Sequence, residues 1–235
     1  MRAVVVQHEE HEGPARLGDA LVRAGFTLVP RFRAVQPDDV HADLVVVLGG
    51  PMSACAVPAL PFLAAERELL AARLQRGAPC LGVCLGAQLL AAAAGAVVSR
   101  GAAGLELGAS PIRWHAAAAR DAVVGADAAE LVVAHWHEDT FTPVPGAVLL
   151  ASSARYEQQG FRLGDSYGFQ CHIELDATAF ARWLELGAAE ITAAGGDVAA
   201  LRAQLPAMAA HDARRQQLLE RLAQHFAACA RRGGS

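Results

Sequence analysis

The chain has 235 residues, 54% hydrophobic and 19% charged, with a formal net charge of −4, a composition that suits a packed fold and excludes a disordered segment. All 20 basic residues are arginines, scattered without a basic stripe, which argues against nucleic acid as partner; Arg, Glu, Gly or Pro breaks every apolar run before it could span a membrane. The opening "MRAVVVQHEE" turns acidic too soon for a secretory leader, and Cys55, Cys80, Cys84, Cys171 and Cys229 show no disulfide spacing, so a soluble cytoplasmic protein with reduced thiols is expected.

In chain order, "RAVVVQ" reads as a β-branched strand, followed by "ARLGDALVRAG", apolar at helical spacing and stopped by Gly25. "TLVP" is short and extended. "DLVVVLGGP" is a continuous β-branched run of the kind buried on both faces of a parallel sheet. "PALPFLAAERELLAARLQRG" predicts a long helix ending at Gly77, "APCLGV" the next buried strand, and "LGAQLLAAAAG" the next helix. This alternation implies βαβ units with right-handed crossovers. The expected fold is therefore α/β, a flavodoxin-like open and mostly parallel sheet with helices on both faces.

After Gly95 the rhythm changes. "AVVSRGAAGLELGASPIRWH" predicts shorter strands and turns, a small antiparallel β section, and "DSYGFQCH" one more strand. From Asp176 the chain reads as helical, and Leu218, Leu219, Leu222, Phe226 and Cys229 share one helix face. We expect one main domain over 1–190 and a helical C-terminal extension over 191–235 packed on it. That apolar stripe suits packing inside the molecule; docking on a partner protein is the alternative.

"GVCLGAQLL" puts Cys84 between Gly82 and Gly86, where a strand gives way to a helix. A sharp strand-to-helix turn lifts one side chain above the sheet edge, and its crowding demands small flanking residues. The helix would aim its positive end at the sulfur, favouring thiolate, and the N–H of Leu85 could meet a developing oxyanion. A packed, inert thiol fits the same three residues. "FQCHIELD" bears on that choice. On a strand, His172 and Glu174 would point the same way, a carboxylate beside an imidazole that can act as base and then acid. "LGGPMSA" ends another buried strand; Pro51 has no N–H, so Gly50 is the backbone donor available to a second oxyanion position.

Together "LGGP", "GVCLGAQ" and "CHIE" resemble the class I (triad) glutamine amidotransferases, over roughly residues 4–176. "AHWHEDTF" and the "ELG" at Glu106 are similar to a stand-alone branch related to the glutaminase half of GMP synthetase. The resemblance implies that Cys84 attacks the glutamine side-chain amide, giving a γ-glutamyl thioester and ammonia. It gives His172 the acid and base steps, Glu174 the orientation of His172, and the N–H groups of Gly50 and Leu85 the oxyanion. It puts Gly49, Pro51, Gln88, Trp136 and His137 at the substrate, with Asp139 steadying the loop. Two positions depart from the family pattern: Ile173 stands where Pro is frequent, and Cys171 where an aromatic precedes the histidine.

No cofactor is expected, and no metal. A zinc site drawn from His135 and His137 with Cys84 or Cys171 lacks any CxxC or HExxH companion. "HEEHEG", from His8, reads as a solvated acidic loop near the same sheet edge, with substrate or partner contact as the alternative. Cys80 should be buried and inert, and Cys171 beside His172 raises the question of oxidative exchange with Cys84. No P-loop or second long α/β pattern is visible, so ammonia would pass to a separate synthetase or acceptor subunit, or be released. The rival readings are a γ-glutamyl hydrolase acting on a peptide or amine, and a non-catalytic regulatory protein with this fold.

Overall fold

The computed structural model describes residues 1–125 and 129–233, apart from the side chains of Val57 and Pro58; residues 126–128 and 234–235 of the two expected segments lie outside the described residues. Strand β1 (Arg2–Gln7) leads through helix α1 (Ala15–Arg23) to β2 (Thr27–Phe32), then to β3 (Leu44–Val47), α2 (Pro61–Gln75), β4 (Cys80–Val83) and α3 (Leu85–Ala93). Next come β5 (Val98–Arg100), β6 (Glu106–Trp114), β7 (Leu131–His137), β8 (Asp139–Phe141), β9 (Val148–Ser152), β10 (Gly160–Leu163) and β11 (Ser166–Phe169). The chain closes with α4 (Ala177–Leu186), α5 (Ala188–Ala193), α6 (Val198–Arg202), α7 (Leu205–Ala209) and α8 (Asp212–Gly233).

The main sheet runs β2-β1-β3-β4-β11-β10-β9-β6-β7. Its first five strands pair in parallel, in the strand order of a flavodoxin-like sheet. From β11 onward the pairing is antiparallel, and β5 and β8 form a separate antiparallel pair. The short "TLVP" stretch extends to Phe32. Pro30 is tolerated there because β2 is an edge strand, bonded on one side only.

Alternation along the parallel strands explains why they read as unbroken apolar runs. Ala3 and Val5 face one hydrophobic cluster, with α1 and α8; Val4 and Val6 face another, with α2 and α3. Leu218, Leu219, Leu222 and Phe226 of α8 are buried in the first cluster beside Val46, Leu81 and Tyr167, so the apolar stripe packs inside the molecule. A third cluster seats α4 and the short helices after it on β7 through Phe180, Trp183, Leu184 and Met208.

The C-terminal ends of β1, β3, β4 and β11 open at one rim of the sheet, where an open parallel sheet binds ligands. Because α8 covers the opposite half of the core, truncating its anchor should loosen the whole sheet. Phe226→Ala, at a fully buried ring, should cost about 3–5 kcal/mol. That corresponds to a fall of roughly 10 °C in Tm for a domain of this size, read by thermal unfolding with circular dichroism.

Candidate functional site

Cys84 ends β4 and caps α3 with φ 51° and ψ −111°, a left-handed conformation that costs about 1–3 kcal/mol in an L-residue. Two glycines make the turn possible. A Cβ on Gly82 would lie 2.4 Å from the Gly86 carbonyl oxygen, and one on Gly86 would lie 1.9 Å from the Val47 oxygen. The backbones of β4, α3 and β3 therefore touch directly. The Cys84 N–H donates to Phe169 O (2.8 Å) and the Gly86 N–H to Leu48 O (3.2 Å), so the turn is tied to the strands on both sides. Leu85 opens the helix, and its N–H is one of the first-turn donors that a helix cannot satisfy internally.

His172 and Glu174 meet, but not on a strand. β11 stops at Phe169, the chain bends away at Gln170, and only a single bridge to Ala134 holds His172, whose N–H donates to Ala134 O at 2.9 Å. The expected alternation along a strand is thus replaced by a series of bends with the same outcome. His172 Nδ1 donates to Glu174 Oε1 at 2.7 Å, which leaves Nε2 free for the sulfur. Trp183 packs its ring edge-on to the imidazole, 4.9 Å between centroids. Burial disfavours the imidazolium, but the Glu174 carboxylate and the Cys84 sulfur, which acts on the ring as both charge and hydrogen-bond partner, outweigh it. They hold the His172 pKa well above its ordinary value.

The "LGGP" segment follows β3. A Cβ on Gly49 would approach His172 Cε1 at 3.1 Å, Glu12 Oε2 at 3.3 Å and the Cys84 Cβ at 3.5 Å, so this position is bare because reactive side chains crowd it. Gly50 and Pro51 line a cavity of about 510 Å³ together with Cys84, Leu85, Gln88 and His172.

Against this geometry, the family model for class I glutamine amidotransferases matches residues 20–190 of the chain. The chain belongs to the class I glutamine amidotransferase family. It is similar to the glutamine amidotransferase-like protein YfeJ of Salmonella typhimurium, 30% identical over 204 residues that cover 83% of this chain and 85% of that one. Among solved structures, a glutamine amidotransferase of Thermotoga maritima superposes with a TM-score of 0.84 at 29% identity, covering 97% of this chain and 98% of its own. A GMP synthase component of Thermoplasma acidophilum superposes at 0.70 with 18% identity, over 100% and 98% of the two chains, a likeness that speaks to the fold alone.

The sulfur has two further neighbours. The Trp136 carbonyl accepts from the Cys84 thiol at 3.9 Å, and Gln170 Nε2 donates to the sulfur at 3.8 Å. Gln88 donates to Gln170 Oε1 (3.1 Å) and to Asp139 O (3.3 Å), linking the helix after the cysteine to the bend after β11 and to the start of β8. Sequence reasoning missed Gln170 and Trp183. Gln170 had a signal, since it precedes His172 by two residues in "FQCHIE"; Trp183 lies in a helix with no motif.

His137 faces inward as well as toward the cavity. Its Nδ1 donates to Asp139 O (3.1 Å), and its Nε2 lies 3.0 Å from Glu106 Oε2. Asp139 accepts from the Ser53 hydroxyl, tying the start of β8 to the segment after "LGGP". His135 Nδ1 lies 3.5 Å from the same Glu106 oxygen; among the described residues Glu106, His135 and His137 cluster at metal-ligand spacing, as do Asp165, His225 and Cys229, while the histidines do not join Cys84 or Cys171 in such a group. Gln159 Nε2 donates to Glu106 Oε2 at 2.7 Å and lies 3.3 Å from His137 Nε2. Burial pushes His135 down to about 4, while burial and the two histidines act oppositely on Glu106 and leave its carboxyl below the usual range.

"HEEHEG" is not simply a solvated loop. His8 is fully buried, whereas Glu9, His11 and Glu12 line the cavity. Burial pushes the Glu12 carboxyl up. Burial raises the thiol of Cys80, and burial with the nearby Glu174 charge raises Cys171 well above the ordinary range, so both are held toward the protonated form.

The raised His172 pKa gives a signed prediction. Stability drawn from the imidazolium–Glu174 pair is fully present below the unfolded histidine value and is lost as pH rises through the raised folded value. The Tm gap between wild type and Glu174→Gln should therefore be widest near about pH 6 and narrow as pH rises through the raised folded value. A gap that widens with pH would show that His172 is neutral in the folded protein.

Proposed function

We propose that this amidotransferase hydrolyses a γ-glutamyl amide, with glutamine as the simplest substrate, through a covalent thioester on Cys84. The Cys84 thiolate attacks the γ-carbonyl carbon, and the carbonyl oxygen becomes an oxyanion held by the N–H groups of Leu85 and Gly50. His172, protonated beside Glu174, delivers its proton to the departing nitrogen, so ammonia leaves and the C–S bond remains. The neutral imidazole then takes a proton from water. Hydroxide attacks the thioester, and the sulfur leaves as thiolate with glutamate as product, the net reaction being glutamine plus water to glutamate plus ammonia. Gln88, Pro51 and the chain at Trp136 and His137 shape the pocket for the amino-acid end, with Gly49 beneath it. Ammonia passes to a separate synthetase or acceptor subunit, or is released. The reduced thiol that this chemistry needs suits a reducing cytoplasm.

The observation that carries this reading is the convergence of the Cys84 sulfur, His172 and Glu174 on one cavity that Cys84 and His172 line. The cavity also favours a second reading. At about 510 Å³ it lies in the range of ligands larger than glutamine, which fits a γ-glutamyl peptide or γ-glutamyl amine.

A substrate panel tests both. Ammonia release from glutamine with no turnover of γ-glutamyl amides supports the first; faster turnover of the amides supports the second; neither, with Cys84 unreactive to diazo-oxo-norleucine, leaves the non-catalytic reading. In the active case Cys84→Ser and His172→Ala should each lower kcat by roughly 10⁴-fold or more, and Glu174→Gln by at least about tenfold less than His172→Ala, since the carboxylate orients and stabilises without exchanging protons with substrate. Equal losses at His172 and Glu174 would contradict those roles.

A further inference from the structure

His8 and Glu66 are fully buried, line no part of the cavity and have no part in the steps above. His8 follows β1, and Glu66 lies in the middle of α2. His8 Nδ1 is 2.7 Å from the Gly49 carbonyl oxygen, and its Nε2 is 2.9 Å from Glu66 Oε2. The His8 backbone is fixed in turn, since Arg33 Nε donates to its carbonyl at 2.8 Å.

A carbonyl oxygen only accepts, so Nδ1 must carry a proton. The bond to Glu66 supplies the reason it does. Imidazolium with carboxylate, or neutral imidazole with neutral carboxyl, each leaves the buried pair without net charge, and each keeps the Nδ1 proton. The alternative, one proton fewer, would set a lone pair against the Gly49 oxygen and bury an uncompensated charge.

The peptide at stake joins two glycines. With no Cβ on either side, a peptide unit can turn over at little steric cost, and nothing in "LGGP" itself prevents this. The peptide is trans, so its C=O and N–H point in opposite directions. Holding the Gly49 oxygen on His8 therefore turns the Gly50 N–H away from His8. On Gly50's other side lies the cavity lined by Gly50, Cys84 and Leu85. His8 also packs against Gly50, where a Cβ would come within 2.8 Å of the His8 Cβ.

We propose that His8 and Glu66 are a positioning pair that locks the Gly49–Gly50 peptide with its N–H toward the cavity, so that the second oxyanion donor is set before substrate binds. The proposal rests on the thioester reading above. The donor is isolated by a matched pair of variants. His8→Asn with Glu66→Leu keeps an N–H near the Nδ1 position; His8→Leu with Glu66→Leu has none, and neither leaves a buried carboxylate unpaired.

The leucine variant should lose about 10²-fold in kcat with KM within about threefold, while iodoacetamide alkylates Cys84 at an unchanged rate, because that displacement forms no oxyanion. The asparagine variant should recover to within about tenfold of wild type. Glu66→Gln can donate to Nε2 and so keeps the Nδ1 proton; it should stay within about threefold. Equal kcat in the two double variants, a parallel loss of alkylation, or a hundredfold loss in Glu66→Gln would overturn the lock. Wild-type protein that is alkylated at Cys84 yet hydrolyses neither glutamine nor γ-glutamyl amides would overturn the thioester reading, and the lock with it.

Discussion

Cys84 holds a backbone conformation that an L-residue keeps only when its surroundings compel it. Compulsion comes from contact between backbones. With no side chain on Gly86, α3 starts hard against Val47 of β3; with none on Gly82, β4 lies against the first turn of the helix it feeds. Two hydrogen bonds, from Cys84 to Phe169 and from Gly86 to Leu48, then join the turn to the strands on either side. The energy for this strain is supplied by the sheet. Four parallel strands buried on both faces, with α1 and α8 on one side and α2 and α3 on the other, leave the turn nowhere to relax.

Around that fixed sulfur the other groups are set by packing as much as by pairing. His172 is held by Glu174 at one ring nitrogen, by Ala134 at its backbone and by the Trp183 ring at its side. The missing side chain at Gly49 gives it room. The same low-dielectric surroundings act oppositely on different groups. Burial drives the thiols at Cys80, even with the Arg73 guanidinium beside it, and at Cys171 toward the protonated form, whereas the imidazole is held toward its protonated form because Glu174 and the Cys84 sulfur outweigh its burial.

The parallel half of the fold was legible because burial on both faces leaves an unmistakable trace, as in "DLVVVLGGP" and "APCLGV". The Cys84 turn was legible for a related reason, since only glycine survives such contacts. Less could be read where the chain leaves regular structure. "QCHIE" mimics a strand, yet it is a set of bends held by one bridge from His172 to Ala134, a contact 38 residues away that the local pattern does not announce. Glu66 and Arg73 in α2 look like surface charges in "AERELLAAR", and both are fully buried. Arg73 donates to the Ala42, Val40 and Pro79 carbonyls, and Glu66 meets His8. Those partners lie 31 or more residues away, except Pro79, and no local pattern announces them. His8 itself stood in what resembled an acidic loop for the same reason.

The central claim is that the strained turn presents a nucleophile which becomes covalently acylated. Rapid mixing with glutamine or a γ-glutamyl amide, acid quenching within the first turnovers and peptide mapping by mass spectrometry test it directly. The account predicts one γ-glutamyl group, labile to hydroxylamine, on the peptide that contains Cys84. Steady hydrolysis with that peptide unmodified at every time point, or an adduct on Cys80 or Cys171 instead, would contradict it.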